Sequence, residues 1–362
     1  MESKFSSYSK EDVVFLLKDI SNFVIEQGTI EREKAIQGGR HYSEMLPVEY
    51  QVSDVYLDLY KSQLEISKKK LAFAVGVMCE KILKRKEKNI VLVSLARAGT
   101  PIGILAKRYI KKRYNLDLSH YTISIIRDKG IDKNAIKYII KHHPGMKIQF
   151  IDGWTGKGTI SGVLEEACEE LKKHNIYLDN SLAVLADPAG CSNLFGVRED
   201  FLIPSACLNS TISGLVSRTV LRDDIIGKDD FHGAKFYKEL EPFDLSNEYV
   251  DIISNEFEHV YTDIEKEMKL WKEDVVTKIG LKDVKEIRDR YDVQDINYIK
   301  PGIGETTRVL LRRVPYKILV RDLKDKSLEH IFILAREKSV QVEQYDLKAY
   351  RCCGIIKNMK EI

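Results

Sequence analysis

The residues best suited to chemistry form one run, Ile148-Gln-Phe-Ile-Asp152-Gly-Trp-Thr155-Gly156-Lys157-Gly158-Thr159-Ile160. An apolar stretch ends in a carboxylate, a loop of glycines, hydroxyls and one lysine follows, and an amphipathic segment resumes. That order predicts a buried strand, an acid at its carboxyl tip and a loop feeding a helix N-terminus. Backbone N–H groups, two threonine hydroxyls and the positive end of a helix dipole then converge on an anion, most naturally a phosphate. The carboxylate suits sugar hydroxyls or Mg2+. A Walker A motif is excluded, because it needs a Gly where Ile151 stands and a hydroxyl where Gly158 follows Lys157.

A second turn of the same kind is Ser94-Leu-Ala-Arg97-Ala98-Gly99-Thr-Pro101. Its arginine and close-approaching amides suit another anion. Together the two turns fit a ligand with two separated phosphate groups on a sugar. A thiol nucleophile is the competing chemistry. Among six cysteines, Cys191 in Pro188-Ala-Gly-Cys-Ser is the best candidate and Cys207 the second, with His232 and His41 as candidate bases. None sits in a local protease signature, so a buried structural thiol is the plainer reading. Cys79 and Cys168 read as core, and the spread of the eight histidines outlines no metal cage.

The elements that must position these residues alternate in period. Residues 63–86 have helical spacing, Ile90–Leu95 reads as a buried strand, and a helix opens near Pro101. Strands at 121–126, 148–151 and 182–186 alternate with helices at 132–143 and 159–174. This predicts an α/β fold with a mostly parallel sheet covered on both faces, whose ligand crevice lies beyond the strands' carboxyl ends. Residues 246–290 read as a charged helical connector. Beyond 291 a small α/β unit follows, with strands around Val309–Leu311, Lys317–Val320 and Val340–Val342 and a helix at 325–336.

The chain is 44% hydrophobic and 31% charged with a net charge of only +3. No apolar run is long enough to span a membrane, and Met1–Ser7 lacks the apolar core of a signal peptide, so a cytoplasmic protein is expected. Positive charge gathers late. Lys300, Arg308, Arg312, Arg313, Lys317 and Arg321 stand against Glu305 alone, a pattern suited to RNA phosphates. As a strand, 308–317 would place Arg308 and Arg312 on one face with Arg313 and Lys317 opposite.

These segments carry a resemblance. Asp152–Thr159 and Leu95–Pro101 resemble the two ligand loops of type I phosphoribosyltransferases. With His41–Pro47, Ala186-Asp-Pro-Ala-Gly-Cys191 and Gly214–Thr219, the pattern resembles the StiP family of tellurite-resistance systems, described both as cysteine proteases and as phosphoribosyltransferase-like. Lys300–Cys352 is similar to a Pelota-type RNA-binding domain.

The resemblance implies a phosphoribosyltransferase-like domain over 1–245, the connector over 246–290 and a Pelota-like domain over 291–362. It further implies binding of phosphoribosyl pyrophosphate and Mg2+ for phosphoribosyl transfer. Asp152 would hold ribose and metal. Thr155, Gly156, Lys157, Gly158 and Thr159 would hold the 5′-phosphate, and Arg97, Ala98 and Gly99 pyrophosphate. Arg127 would lie in a closing loop, and Lys300, Arg308, Arg312, Arg313 and Lys317 would meet RNA. Gly153 departs from the pattern, which has a second acid there. The alternatives are a cysteine protease using Cys191 or Cys207 with His232, and a non-catalytic phosphoribosyl-sensing regulator. Assembly into an oligomer is left open.

Overall fold

The computed structural model describes residues 5–49 and 54–358; the start of the chain, Met1–Lys4, lies outside them. Its first part is built on a six-stranded parallel sheet of β1 (Val14–Phe15), β2 (Ile90–Leu95), β3 (His120–Ile123), β4 (Lys147–Trp154), β5 (Leu182–Ala186) and β6 (Leu194–Val197). The spatial order is β1-β3-β2-β4-β5-β6. Every residue of β2 and β5 is buried, which is why these strands read as unbroken apolar runs.

The helices that cover the sheet follow from the 3.6-residue spacing of their apolar positions. After the short α1 (Thr29–Gln37) come α2 (Asp54–Lys86), α3 (Gly99–Tyr114), α4 (Lys133–His142) and α5 (Thr159–Lys172). Helices α6 (Ser246–Asn255) and α7 (Phe257–Leu270) complete the first part. One face of the sheet packs α2, α3, α6 and α7, through Leu71, Val75, Ile104, Tyr249 and Phe257. The other packs α4 and α5, through Ile136, Ile139, Leu164 and Leu171. Asp132 caps α4, accepting from the amides of Asn134 and Ala135 at 3.0 Å. Close approach matters where α2 crosses β6. A Cβ at Gly196 would stand 2.3 Å from the Ala74 carbonyl oxygen.

Two expectations change. The third strand stops at Ile123, and Ile125–Ile126 instead pairs antiparallel with Gly130–Ile131. The stretch expected as a strand around Val309–Leu311 is a helix, α9 (Ile303–Arg312). Its apolar positions Ile303, Val309 and Leu310 fall on one helical face, and Asp200 accepts from the Ile303 amide at 2.9 Å.

The C-terminal unit starts with α8 (Ile279–Arg290), whose Val284 and Ile287 pack with Ile299, Leu319 and Tyr350. It continues with β7 (Ile299–Pro301), α9, β8 (Pro315–Val320), α10 (Glu329–Glu337), β9 (Gln341–Gln344) and β10 (Cys352–Ile356). The sheet order is β7-β10-β8-β9, with only β8 and β9 parallel. Ile303 and Leu310 of α9 enter the same apolar cluster as Leu202, Ile203 and Cys207, so the two parts share buried surface. Among the described residues no helix is long and apolar enough to cross a membrane.

Candidate functional site

The predicted crevice lies where the order of strand addition reverses, beyond the carboxyl ends of β2 and β4. Ser94 is paired with Ile151, so the turns at 96–99 and 155–158 lie side by side. A Cβ at Gly99 would meet the Ile151 carbonyl oxygen at 2.5 Å, which fixes glycine at the start of α3. Thr155 is drawn toward β5, its amide donating to the Ala186 carbonyl at 3.0 Å. Gly158 takes φ +82° just before α5, a conformation that suits glycine.

The C-terminal unit fills this crevice. Tyr350 donates its hydroxyl hydrogen bond to the Gly156 carbonyl at 2.5 Å, and Lys157 donates to the Ile296 carbonyl at 2.5 Å. Trp154 faces Gly304, and the Arg308 guanidinium lies over its ring at 4.6 Å. The Gly156 carbonyl and the Lys157 cation are thereby engaged by protein partners.

Burial shapes the electrostatics. Asp152 accepts the Gly153 amide at 2.7 Å, and burial pushes its carboxyl up to about 7 despite that bond and the nearby Arg308. Lys157 is pushed down to about 7, first by burial and then by Lys300 and Arg127. Beside Asp152 the counter-charge is the Arg308 guanidinium, and its neighbouring carboxylate Glu305 is itself bonded to Arg308 at 3.0 Å. That donor set does not fit Mg2+, which asks for several free oxygen ligands in octahedral array. Among the described residues no group of three or more His, Cys, Asp or Glu side chains could hold a metal ion.

Arg97 does not aim at the loops. It donates to the Val216 carbonyl at 3.1 Å and to Asn209 and Glu49 at 3.0 Å each. Ala98 and Gly99 are packed into the start of α3. Arg127 lies over the Tyr42 ring at 5.0 Å, and its backbone amide donates to the Tyr42 hydroxyl at 2.7 Å.

No thiol is hydrogen-bonded to an imidazole among the described residues. Cys191 is partly exposed, whereas the other five cysteines are buried. Its amide donates to Asp187 at 2.9 Å, and its Sγ lies 2.7 Å from where a Gly158 Cβ would stand. Burial, then Asp187, pushes the thiol up to about 11, the reverse of an activated nucleophile. Cys207 is raised to about 12 by burial. His232 is engaged with Ser124, Nδ1 to Oγ at 2.9 Å, and its amide donates to Asp132 at 2.6 Å. His41 pairs with Ser43 at 2.7 Å.

The basic residues assigned to RNA are half-buried and engaged within the chain. Arg312 donates to the Leu208 carbonyl at 2.7 Å, and Arg313 pairs with Glu33 of α1, Nη2 to Oε2 at 2.9 Å. Lys317 pairs with Glu343 at 2.7 Å, while burial lowers the pKa of Lys300. The helix replaces the expected two-faced strand, and Arg308, Arg312 and Arg313 serve the contact between the two parts.

Residues 6–254 match the family model of the tellurite-like stress resistance cysteine protease StiP, and residues 278–358 match the PELOTA RNA binding domain. The chain belongs to the StiP family. A relative named cysteine protease StiP, from Acinetobacter baylyi, is 34% identical, with 98% of this chain and 94% of that protein aligned. Among solved structures, the Vibrio vulnificus NanR protein complexed with ManNAc-6P aligns over 66% of this chain and 69% of its own, at 9% identity and a TM-score of 0.23. So low a score carries no argument.

These matches overturn the expectation of phosphoribosyl transfer. Family and relative are both named for a cysteine protease, and nothing in them supports a phosphoribosyl-pyrophosphate enzyme. The packing agrees, since Tyr350 and Arg308 occupy the approach to the loop and Arg97 is turned away.

Several residues that organise the site escaped the sequence reading. Asp187, fully buried, gathers Thr155, Cys191, Ser192 and Arg198 around one carboxylate. Asp200 joins the two parts by accepting the amides of Ile303 and Arg351 at 2.9 and 2.8 Å. A signal for Asp187 was available. It lies in the same Ala186–Cys191 segment that drew attention to the thiol.

Proposed function

We propose that this chain is a cysteine peptidase acting through Cys191. The observation that carries the reading is membership of the StiP family, joined to the partial exposure of Cys191 beyond the carboxyl end of β5. The reaction would be attack of the Cys191 thiolate on a peptide carbonyl. The amine product leaves with a proton, and water hydrolyses the thioester to return the thiol.

In the fold described above the thiol is protonated at neutral pH and the connector lies against its loop. Thr277 and Lys278 donate their amides to the Gly190 carbonyl at 3.0 and 2.9 Å. Activity on this reading requires that segment to lift, exposing Cys191 and lowering its pKa.

The test is hydrolysis of an unfolded protein substrate by wild type, Cys191→Ala and Cys207→Ala. Loss in the first variant with retention in the second supports the assignment. Cleavage persisting in both removes it.

A second role rests on the PELOTA match, namely RNA binding by residues 278–358. Because Arg308, Arg312 and Arg313 are engaged internally, contact with RNA through them requires the two parts to separate. Filter binding of a single-stranded RNA at two salt concentrations checks this, and affinity that is absent at low salt refutes it.

A further inference from the structure

Positive charge that is buried at Arg32 and half-buried at its neighbours gathers where α1, the segment 216–218 and the C-terminal end of α9 meet. Arg32 is only 6% exposed, its Nε has no hydrogen-bond partner, and its nearest carboxylate oxygen, on Glu33, is 3.9 Å away. Glu33 is already held by Arg313 at 2.9 Å. Arg218 donates to the Tyr42 carbonyl at 3.2 Å and lies over the Tyr42 ring at 4.6 Å, with no carboxylate partner among the described residues. On the far side Arg97 takes the other nearby acid, Glu49, at 3.0 Å.

Arg32, Arg97, Arg218 and Arg313 therefore act on one another at a junction whose two acids, Glu33 and Glu49, are each already paired with an arginine. Burial pushes the Arg218 guanidinium down to about 9, and the next lowering influences are Arg32, Arg97 and Arg313. Burying like charges without partners is among the most costly arrangements a fold can hold. A guanidinium with an unused donor, as Arg32 has at Nε, is also the group that best matches phosphate oxygens, two at a time.

We infer that this junction binds a compact, multiply charged oxyanion of the oligophosphate class, held by Arg32 and Arg218 of the first part and Arg313 of the last. The anion supplies the missing negative charge and ties the C-terminal unit to the sheet domain. Its source is either a free oligophosphate or the 5′-triphosphate end of an RNA, which share this chemistry.

Thermal unfolding and calorimetry of the full chain with inorganic triphosphate, at ionic strength matched with chloride, test the inference. Triphosphate should raise the Tm by several degrees, and orthophosphate by less. Arg218→Met and Arg32→Gln should each weaken triphosphate binding by about tenfold or more. They should also leave the free protein as stable as wild type or more so, because each relieves repulsion; if these arginines were merely structural, the free protein would lose stability. A parallel arm compares a 5′-triphosphorylated RNA with its 5′-hydroxyl form. Preference for the triphosphorylated end, lost in Arg218→Met, identifies RNA as the source, whereas equal binding of both RNAs with retained triphosphate affinity identifies the free anion. No response to triphosphate beyond the chloride control, or a response unchanged in both variants, overturns the inference.

Discussion

Replacing Asp152 with asparagine isolates one buried ionisation. The carboxyl sits at about 7 rather than 3.8 because burial penalises its charged form. At roughly 1.4 kcal/mol per pH unit, that displacement corresponds to about 4 kcal/mol between the two protonation states. Solvent at the partly exposed edge of the side chain lowers the working figure to about 2 kcal/mol.

The sign follows from proton counts. Between pH 4 and 7 the folded chain holds a proton that the unfolded chain has lost. The contribution of Asp152 to stability is therefore full below pH 4, falls as pH rises and is gone above 7. Asparagine cannot titrate, yet it keeps an oxygen to accept the Gly153 amide, bonded at 2.7 Å in the wild type. The Asp152→Asn variant should match wild type near pH 4 and gain steadily to pH 8, where its advantage reaches about 2 kcal/mol or roughly 2–4 °C in Tm. Thermal unfolding of both proteins at pH 4, 5, 6, 7 and 8 measures this. Lys157, which titrates nearby, is common to both and cancels. Two curves that stay parallel across that range would refute the reasoning.

Gly196→Ala should cost at least about 2 kcal/mol, because its Cβ would stand 2.3 Å from a backbone oxygen of α2; a lowered Tm checks it. Brief treatment of the native chain with iodoacetamide should modify Cys191 alone, with a rate rising about tenfold per pH unit from 7 to 10, read by mass spectrometry. Trp154→Ala should remove the stack on Arg308 and the packing on Gly304, at a cost of about 2–4 kcal/mol. Its signature is faster tryptic cleavage at Lys272 and Lys278 in the connector. Unchanged cleavage would mean that Trp154 does not hold the two parts together.

The parallel sheet was legible because its strands are short apolar runs between turn residues, and the helix opening at Asp132 because a capping aspartate acts on its own next amides. Helix α9 was not. Gly304 and the β-branched Thr306 and Thr307 disfavour an isolated helix, and what overrides them is Asp200, 103 residues away in sequence, on the Ile303 amide. The thiol ranking read from the sequence agrees with exposure, since Cys191 alone is not buried, but no local pattern reveals that the candidate bases His232 and His41 are committed to Ser124 and Ser43.

By itself the sequence determined the α/β alternation, the two glycine-bearing turns at the sheet's carboxyl edge and the late concentration of positive charge. All three depend on residue type and short spacing. Only the tertiary structure decided what those turns face. Tyr350 reaches Gly156 across 194 residues and Lys157 reaches Ile296 across 139, so a loop with the chemistry of an open anion site is closed by the chain's own last domain. It also decided that Arg308, Arg312 and Arg313, read as an RNA surface, would be half-buried at the contact between the two parts, because burial depends on distance in space and not along the chain.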